Sequence, residues 1–280
     1  MERPLQASSR ASRTHAREAL DDLVARSDVD VDGMHAAADD LFGAADLLDQ
    51  QVRLRRVLTD DTREPASRVD LVRGLLASRI HPLALGLLEQ VVGARWAHPR
   101  DLTDTVEDLA VELLAGAADR EGHLDEVEDE LFRFSRLVVA NHELRAALTD
   151  PGLPAERKDG VITQLLGARV AAPTMTLIRR AVAHPRLPSV ESVLDHYAEI
   201  VARRRARLLV RVRSAVALTA AQQHRLRERL AAMYARDVSL NAEVDPRVIG
   251  GVAVQVGDEV LDGTIASRLD GARQRLAGST

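Results

Sequence analysis

Cysteine is absent from this 280-residue sequence, and aromatic residues make up only 2% of it. The absence of cysteine excludes disulfide bonds and thiolate metal sites. No apolar run approaches the ~20 residues needed to cross a bilayer, and the polar start MERPLQASSRASR lacks the apolar core of a signal peptide. Few aromatic residues, with abundant Ala, Leu and Arg, favour helices over a large β-sheet. We therefore expect a mainly α protein of the cytoplasm, which reaches a membrane only through a partner.

The motifs of nucleotide-binding and metal-dependent enzymes are also missing. The nine histidines show no HxxxH or HExxH spacing, and the chain has neither a GxxxxGK(S/T) loop nor GxGxxG after a strand. Carboxylate pairs such as Asp39-Asp40 fall near helix starts or on solvated faces. We expect no catalytic residue, no cofactor and no metal site.

Lysine is nearly absent, since Lys158 is the only lysine among 38 basic residues, and the net charge is −5. An acidic balance argues against nucleic-acid binding, which normally needs a basic surplus or a concentrated basic face. The one candidate is the run from Arg203 to Arg213, which contains six arginines. Two interpretations are open: a nucleic-acid contact, or a solvated helix end that continues into a strand, which we favour.

Helical periodicity begins at Arg13, where Ala16, Leu20 and Val24 fall on one stripe. Residues 1–12 are polar and are predicted to form a disordered tail. Further helices are predicted over 32–50, 52–59, 65–79, 82–97 and 101–119, and Pro65 and Pro82 suit first-turn positions. The first half of the chain is therefore predicted to be a helical bundle.

The helical region repeats itself at an offset of 90 residues. Asp39-Asp40-Leu41-Phe42 matches Asp129-Glu130-Leu131-Phe132, and Leu58-Thr59-Asp60 matches Leu148-Thr149-Asp150. In all, 14 of the 54 positions from 39 to 92 are identical, where composition alone gives roughly five. We predict a duplicated bundle over 13–118 and 119–206, in which helix 101–119 closes the first bundle and opens the second. Generic resemblance between amphipathic helices is the alternative.

Residues 207–280 change to a period of two and are predicted to form a small α/β domain of order β-α-β-β-α. Strands are predicted at 208–212, 238–244 and 252–256. Thr219 and Gln222 form a capping box that starts a helix reaching to about 236. Thr264 is the predicted N-cap of a last helix. The first strand is compatible with parallel or antiparallel pairing.

Turn residues punctuate this domain in a specific order: Ile249-Gly250-Gly251-Val252, then Gly257-Asp258, then Asp262-Gly263-Thr264-Ile265 and Arg268-Leu269. This run resembles the delta subunit of bacterial F-type ATP synthases, whose mitochondrial counterpart is the oligomycin-sensitivity-conferring protein. The resemblance extends upstream through 144–166 and 186–206. It implies a structural signature made of Gly250, Gly251, Gly257, Asp258, Asp262, Gly263 and Thr264. The family has a single N-terminal bundle, so the first copy is extra, as in the long delta chains of actinobacteria.

The resemblance implies a non-catalytic stator subunit on the cytoplasmic face of the bacterial plasma membrane. It would receive the N-terminal helix of an alpha subunit and hold the C-terminal region of the b subunit, so that proton-driven rotation produces ATP. The family's alpha-binding surface lies between the first and fifth helices of the bundle. In the second bundle these are 101–119 and 174–184, where stripes of apolar residues include Leu102, Val106 and Met175. The predicted groove residues are Leu109, Leu113, Ile178 and Val182.

Two other function classes stay open. A helical-repeat adaptor of another multiprotein complex would have the same fold but would not belong to the ATP synthase. A small hydrolase or transferase is a further rival, which a buried polar cluster in a cleft would favour.

Overall fold

The computed structural model describes residues 6–206, 208–234, 238–245, 248, 251–256 and 259–262. The chain divides into two units, the first ending at Arg205 and the second beginning at Ala206. The first is helical, and the described residues of the second form one helix and a four-stranded sheet. The prediction of a mainly α chain is confirmed. Within the described ranges, no helix is both long enough and apolar enough to cross a membrane.

The helices of the first unit form two consecutive sets that share α6. The first set is α1 Ala7–Arg26, α2 Val31–Gln50, α3 Val52–Leu58, α4 Pro65–Leu76, α5 Pro82–Gly93 and α6 Pro99–Glu121. The second set continues with α7 Leu124–Ala140, α8 His142–Thr149, α9 Ala155–Leu166, α10 Ala172–Ala183 and α11 Val190–Ala206. The ends follow local chemistry. Pro65 and Pro82 occupy first turns, Asp30 caps α2 through Gly33 N at 2.8 Å, and Gly122 ends α6 with a φ of 77°.

Each set contains an equivalent hydrogen bond, and the two bonds lie 90 residues apart in the sequence. The Asp40 carboxylate accepts a hydrogen bond from His81 N at 2.6 Å. In the same way the Glu130 carboxylate accepts from Ala171 N at 3.0 Å. Each bond ties the second helix of its set to the start of the fifth. The helix order and this tie are therefore common to both sets.

Helix α6 lies at the centre of the first unit and buries 17 of its 23 residues. It packs against α2 on one side and against α7 and α10 on others. Small residues allow the close approach of α2, since a Cβ placed on Gly116 would lie 2.6 Å from Met34 Cε. This enclosed position fits a helix that belongs to both sets.

Residues 7–12 form the first turns of α1, and the disordered tail predicted over 1–12 is wrong for them. Ser9 Oγ donates to Asp101 Oδ2 at 2.6 Å, and Ser12 Oγ donates to the Arg95 carbonyl at 2.6 Å. The polar composition misled because both serines are buried and their hydroxyls find partners in other parts of the first set. Residues 1–5 lie outside the described residues.

The second unit contains β1 Leu208–Ser214, α12 Ala220–Tyr234, β2 Val238–Val244, β3 Val252–Val256 and β4 Glu259–Asp262. The sheet order is β2-β1-β3-β4, and β1 runs parallel to β2 and antiparallel to β3. The predicted order has two strands after the helix, whereas the described residues form three. The predicted last helix, after Thr264, lies outside the described residues.

Local signals in this unit behave as expected. Thr219 N donates to Gln222 Oε1 at 2.8 Å and Gln222 N to Thr219 Oγ1 at 3.3 Å, which confirms the capping box. Among the described residues of this unit, the buried core contains Val210, Val212, Leu230, Val238, Leu240 and Val254.

Candidate functional site

The four predicted groove residues are all buried in the first unit. Leu109 and Leu113 on α6 are 1% and 0% exposed, and Ile178 and Val182 on α10 are 0% and 3% exposed. The prediction treated α6 as a helix with one free face. The first helical set covers that face, so the structure places these side chains in the core instead of along a groove.

A central ion-pair cluster, made of Asp46, Glu107, Arg180, Arg186 and Tyr197, joins the two sets. Arg180 Nη1 lies 2.7 Å from Asp46 Oδ2, and its Nη2 lies 2.8 Å from Glu107 Oε2. Tyr197 Oη donates to Glu107 Oε1 at 2.5 Å, and Arg186 also pairs with Glu107. The cluster therefore ties α2 of the first set to α10 and α11 of the second through α6.

The pKa values of Arg180 and Tyr197 are shifted away from neutrality by their surroundings in the cluster. Burial lowers the pKa of Arg180, but its bonds to Asp46 and Glu107 outweigh burial and raise that pKa above its usual value. Burial and the charge of Glu107 raise the pKa of Tyr197 well above its ordinary value. Neither side chain exchanges protons near neutral pH. The ion pairs and hydrogen bonds of the cluster hold helices of the two sets together.

Beside the cluster lies a cavity of about 70 Å³, whose lining includes Arg13, Asp104, Asp108 and His196. Burial raises the pKa of Asp104 to about 6. His196 Nε2 lies 2.8 Å from Asp108 Oδ1. Burial raises the pKa of Asp108, but the hydrogen bond and charge of His196 outweigh it and leave that pKa below its usual value. In the opposite sense, Asp108 raises the pKa of His196 against the effect of burial.

This cavity has room for about two water molecules, whereas small-molecule sites typically measure ~300 Å³ or more. Its charged walls pair with one another instead of converging on an open space. Asp108 is also approached by Arg13 Nη1 at 3.4 Å. Among the described residues, no group of three or more histidines and carboxylates is arranged to hold a metal. The buried polar cluster is therefore better explained as structural than as catalytic.

The predicted signature residues fall largely beyond what the structure describes. Gly251 has a φ of 82°, the left-handed conformation in which glycine is favoured. Asp262 ends β4, opposite Ala253 of β3. Gly250, Gly257, Asp258, Gly263 and Thr264 lie outside the described residues. The structural role of the signature therefore remains a prediction.

The arginine run begins among carboxylates. Arg204 Nε lies 3.4 Å from Asp119 Oδ2, and Arg205 Nη1 lies 3.1 Å from Glu128 Oε2. Arg203 has a longer contact, 3.9 Å, to Glu199. These contacts favour the solvated helix end over a nucleic-acid contact.

Comparison with known proteins decides the family. The family model of the ATP synthase delta (OSCP) subunit matches residues 112–276, more than half of the chain. The chain belongs to this family. Membership agrees with the prediction of a non-catalytic subunit. The match begins inside α6, so most of the first helical set precedes the family's common region.

Relatives within the ATP synthase delta family match the first helical set as well. ATP synthase subunit delta of Thermobifida fusca is 42% identical over 276 residues, covering 98% of this chain and 100% of that one. The corresponding subunit of Streptomyces avermitilis is 45% identical over 269 residues, covering 96% and 97%. A chain in the cryo-EM structure of the Toxoplasma gondii mitochondrial ATP synthase hexamer is 20% identical and covers 60% of this chain and 97% of its own length. Its TM-score is 0.27, too low to support a structural argument.

Proposed function

We propose that this chain is the stator subunit that links the catalytic head of the ATP synthase to its peripheral stalk. It receives the alpha subunit N-terminus and holds the C-terminal region of the b subunit, so that proton-driven rotation is coupled to ATP synthesis. The observation that carries the proposal is the family match over 112–276. It acts at the cytoplasmic face of the bacterial plasma membrane, as a peripheral protein attached through its complex.

The first unit is a duplicated bundle, with copies over 13–118 and 119–206 that share helix 101–119. Helices α4 and α9 begin at Pro65 and Ala155, and α5 and α10 begin at Pro82 and Ala172, each pair 90 residues apart. The matching ties from Asp40 and Glu130 support the same alignment. A stator must resist torque, and the central ion-pair cluster gives the two copies a stiff connection.

The alpha subunit docks on the first copy. The family's surface between first and fifth helices corresponds to α6 and α10 in the second copy, where Leu113 and Ile178 are core residues. In the first copy it corresponds to α1 and α5. There Leu23 and Leu85 are only partly buried. A Cβ on Gly86 would meet Leu23 Cδ1 at an ordinary 3.5 Å, so α1 and α5 pack together here, and their partly buried apolar side chains form the surface that we assign to a partner helix.

The second unit, 207–280, holds the b subunit. Its glycine signature shapes the hairpin turns, and a helix capped by Thr264 follows the last strand, β4. The left-handed φ of Gly251 supports this role for the signature. The turns and the last strand form a surface of constant shape, to which the b subunit can bind.

Affinity purification of the full chain from its own cells tests the stator assignment. We expect recovery of the alpha, beta and b subunits of the ATP synthase in constant ratio. Recovery of a different complex with none of these three would favour the alternative, a helical-repeat adaptor.

A matched pair of variants tests the docking copy. Gly86→Glu on α5 and Thr176→Glu on α10 change repeat-equivalent, half-buried positions. A synthetic peptide of the alpha N-terminal helix is titrated against each, after circular dichroism establishes folding. We expect Gly86→Glu to weaken binding at least tenfold, because it places a charge among the partly buried apolar residues of α1 and α5, and Thr176→Glu to change it less than twofold. The opposite result would move the docking site to the second copy.

A further inference from the structure

Most repeat-related positions have the same environment in both copies of the bundle. Leu41 and Leu131 are each 0% exposed, and Leu75 and Leu165 are both exposed, at 44% and 39%. Buried positions therefore recur as buried positions, and exposed ones as exposed. A pair that breaks this rule marks a place where the surroundings of the two copies differ.

Phe42 and Phe132 break the rule. Phe42 on α2 is 6% exposed, whereas Phe132 on α7 is 58% exposed. The guanidinium carbon of Arg180 lies 4.8 Å from the centroid of the Phe42 ring, and Asp46 holds that arginine at 2.7 Å. The Arg180 side chain, from helix α10 of the second copy, thus covers Phe42.

Local structure does not explain the difference. The carboxylates of Asp40 and Glu130, two residues before each phenylalanine, accept equivalent backbone hydrogen bonds from His81 and Ala171. Helix α7 is therefore seated in its copy as α2 is in the first. Phe132 is exposed because no third copy follows to supply another α10.

The polar residues around the two rings have opposite character. Asp46 and Asp49, which bind Arg180 and Arg186 in the first copy, correspond to Arg136 and Val139 in the second. Phe132, Arg136 and Val139 follow one another at spacings of four and three, so they share one face of α7. All three are exposed.

This face, named the Phe132 face after these three residues, carries an available positive charge. Among the described residues Arg136 pairs with no carboxylate, whereas its neighbour Arg133 is bound to Asp129 at 3.0 Å. An exposed phenylalanine and valine beside a single unpaired arginine fit a partner with aliphatic residues and a carboxylate.

We propose that the Phe132 face docks an amphipathic helix of another polypeptide, one that places aliphatic side chains on Phe132 and Val139 and a carboxylate opposite Arg136. A helix is the expected element because the side chain that covers the equivalent residue Phe42 in the first copy comes from a helix, α10. A lipid surface fits less well, since it is attracted by clusters of unpaired basic residues. The proposal concerns α7, and it stands independently of where the alpha subunit docks.

The test places the photoreactive phenylalanine analogue p-benzoylphenylalanine at position 132 of the full chain, made in its own cells. The same analogue at position 165 is the control, because Leu165 is exposed on the same copy but has an exposed repeat mate. After irradiation we expect an adduct with another polypeptide at least tenfold above the position 165 control. Peptide mapping should find the adduct in an amphipathic helix that contains Asp or Glu.

Two charge reversals complete the test. Arg136→Glu should reduce the adduct at least fivefold. Arg133→Glu should leave it within twofold, because Arg133 directly follows Phe132 and therefore points to a different side of α7. Trp96 fluorescence establishes that each variant is folded. The proposal is overturned by an adduct no stronger than the control, by one formed only with lipid, a second copy of the chain or its own residues 207–280, or by insensitivity to Arg136→Glu.

The outcomes separate this proposal from the stator assignment. Recovery of alpha and b without an adduct at position 132 would reject only the Phe132 face. An adduct in a complex that lacks alpha and b would support the face and reject the stator.

Discussion

Glu107→Gln should destabilise the first unit strongly without changing the shape of its core. The Glu107 carboxylate is 4% exposed and pairs with Arg180 at 2.8 Å, while also accepting a hydrogen bond from Tyr197. Glutamine keeps the volume and one acceptor but removes the negative charge, which leaves Arg180 and Arg186 less fully compensated inside the protein. Removing one partner of a buried ion pair typically costs ~3–5 kcal/mol. We expect about 3 kcal/mol here, because Asp46 and Asp49 still pair with the two arginines.

The fluorescence of Trp96 provides the assay. It is the only tryptophan in the chain, it is buried in the first unit, and its Nε1 donates to the Val91 carbonyl at 2.8 Å. Its signal therefore reports unfolding of this unit alone. A loss of ~3 kcal/mol corresponds to a urea midpoint lower by about 1 M or more, and to a Tm lower by roughly 6–12 °C.

Glu121→Gln is the matched control, since it removes an exposed carboxylate from the last turn of the same helix. We expect a change below ~0.5 kcal/mol. If Glu107→Gln and Glu121→Gln unfold at the same urea concentration, the ion-pair cluster contributes no net stability and the argument for a stiff connection fails.

Arg68→Met should lower the free energy of unfolding by about 2–3 kcal/mol, because Arg68 is buried and donates to the carbonyls of three residues, 58, 93 and 94. The repeat-equivalent Lys158→Met, at a half-buried position, should change it by less than ~0.5 kcal/mol in the same urea titration; equal effects would contradict the role of Arg68. The stability of the first unit should also fall as pH rises. Asp104 stabilises the folded state fully below its unfolded pKa of 3.8, and this stabilisation is lost as pH rises through its folded pKa of about 6. The stabilisation from His196, whose folded pKa is raised, is lost as pH rises above its unfolded pKa of 6.5. The lowered pKa of His184 opposes part of this fall. Asp104→Asn should flatten the profile between pH 4 and about 6 and His196→Gln above about 6.5; unchanged profiles would show that neither group is linked to folding.

Two sequence signals carried most of the fold. Helical spacing with prolines at first turns predicted helices close to those observed, and the Thr219–Gln222 capping box located the start of α12. Both signals are local, because a cap or a stripe involves residues within one or two turns of each other. The glycine signature belongs to a run that resembles a known family, and the comparisons place the chain in that family.

Local sequence patterns did not predict which residues of the candidate site are buried or which partners they contact. Leu109 and Ile178 lie on apolar stripes. An apolar stripe predicts that one face of a helix is buried, but it does not identify the element that buries it. Charged positions gave a weak signal as well: Glu107, Asp108 and Glu112 interrupt the apolar pattern of α6, and each is buried with a partner. A periodicity argument takes such residues as solvated, although their partners lie on helices far along the chain.

The sequence by itself determined the helices, their caps, the two-residue period of the last region and the 90-residue repeat, because these depend on neighbours in the chain. Tertiary structure alone decided which faces are free. Helix α6 has no open groove because two bundles share it, and Phe132 is exposed because no third copy follows the second. Exposure depends on which elements pack together across long sequence separations, so Phe42 and Phe132, which end the nearly identical segments 39–42 and 129–132, have opposite surroundings.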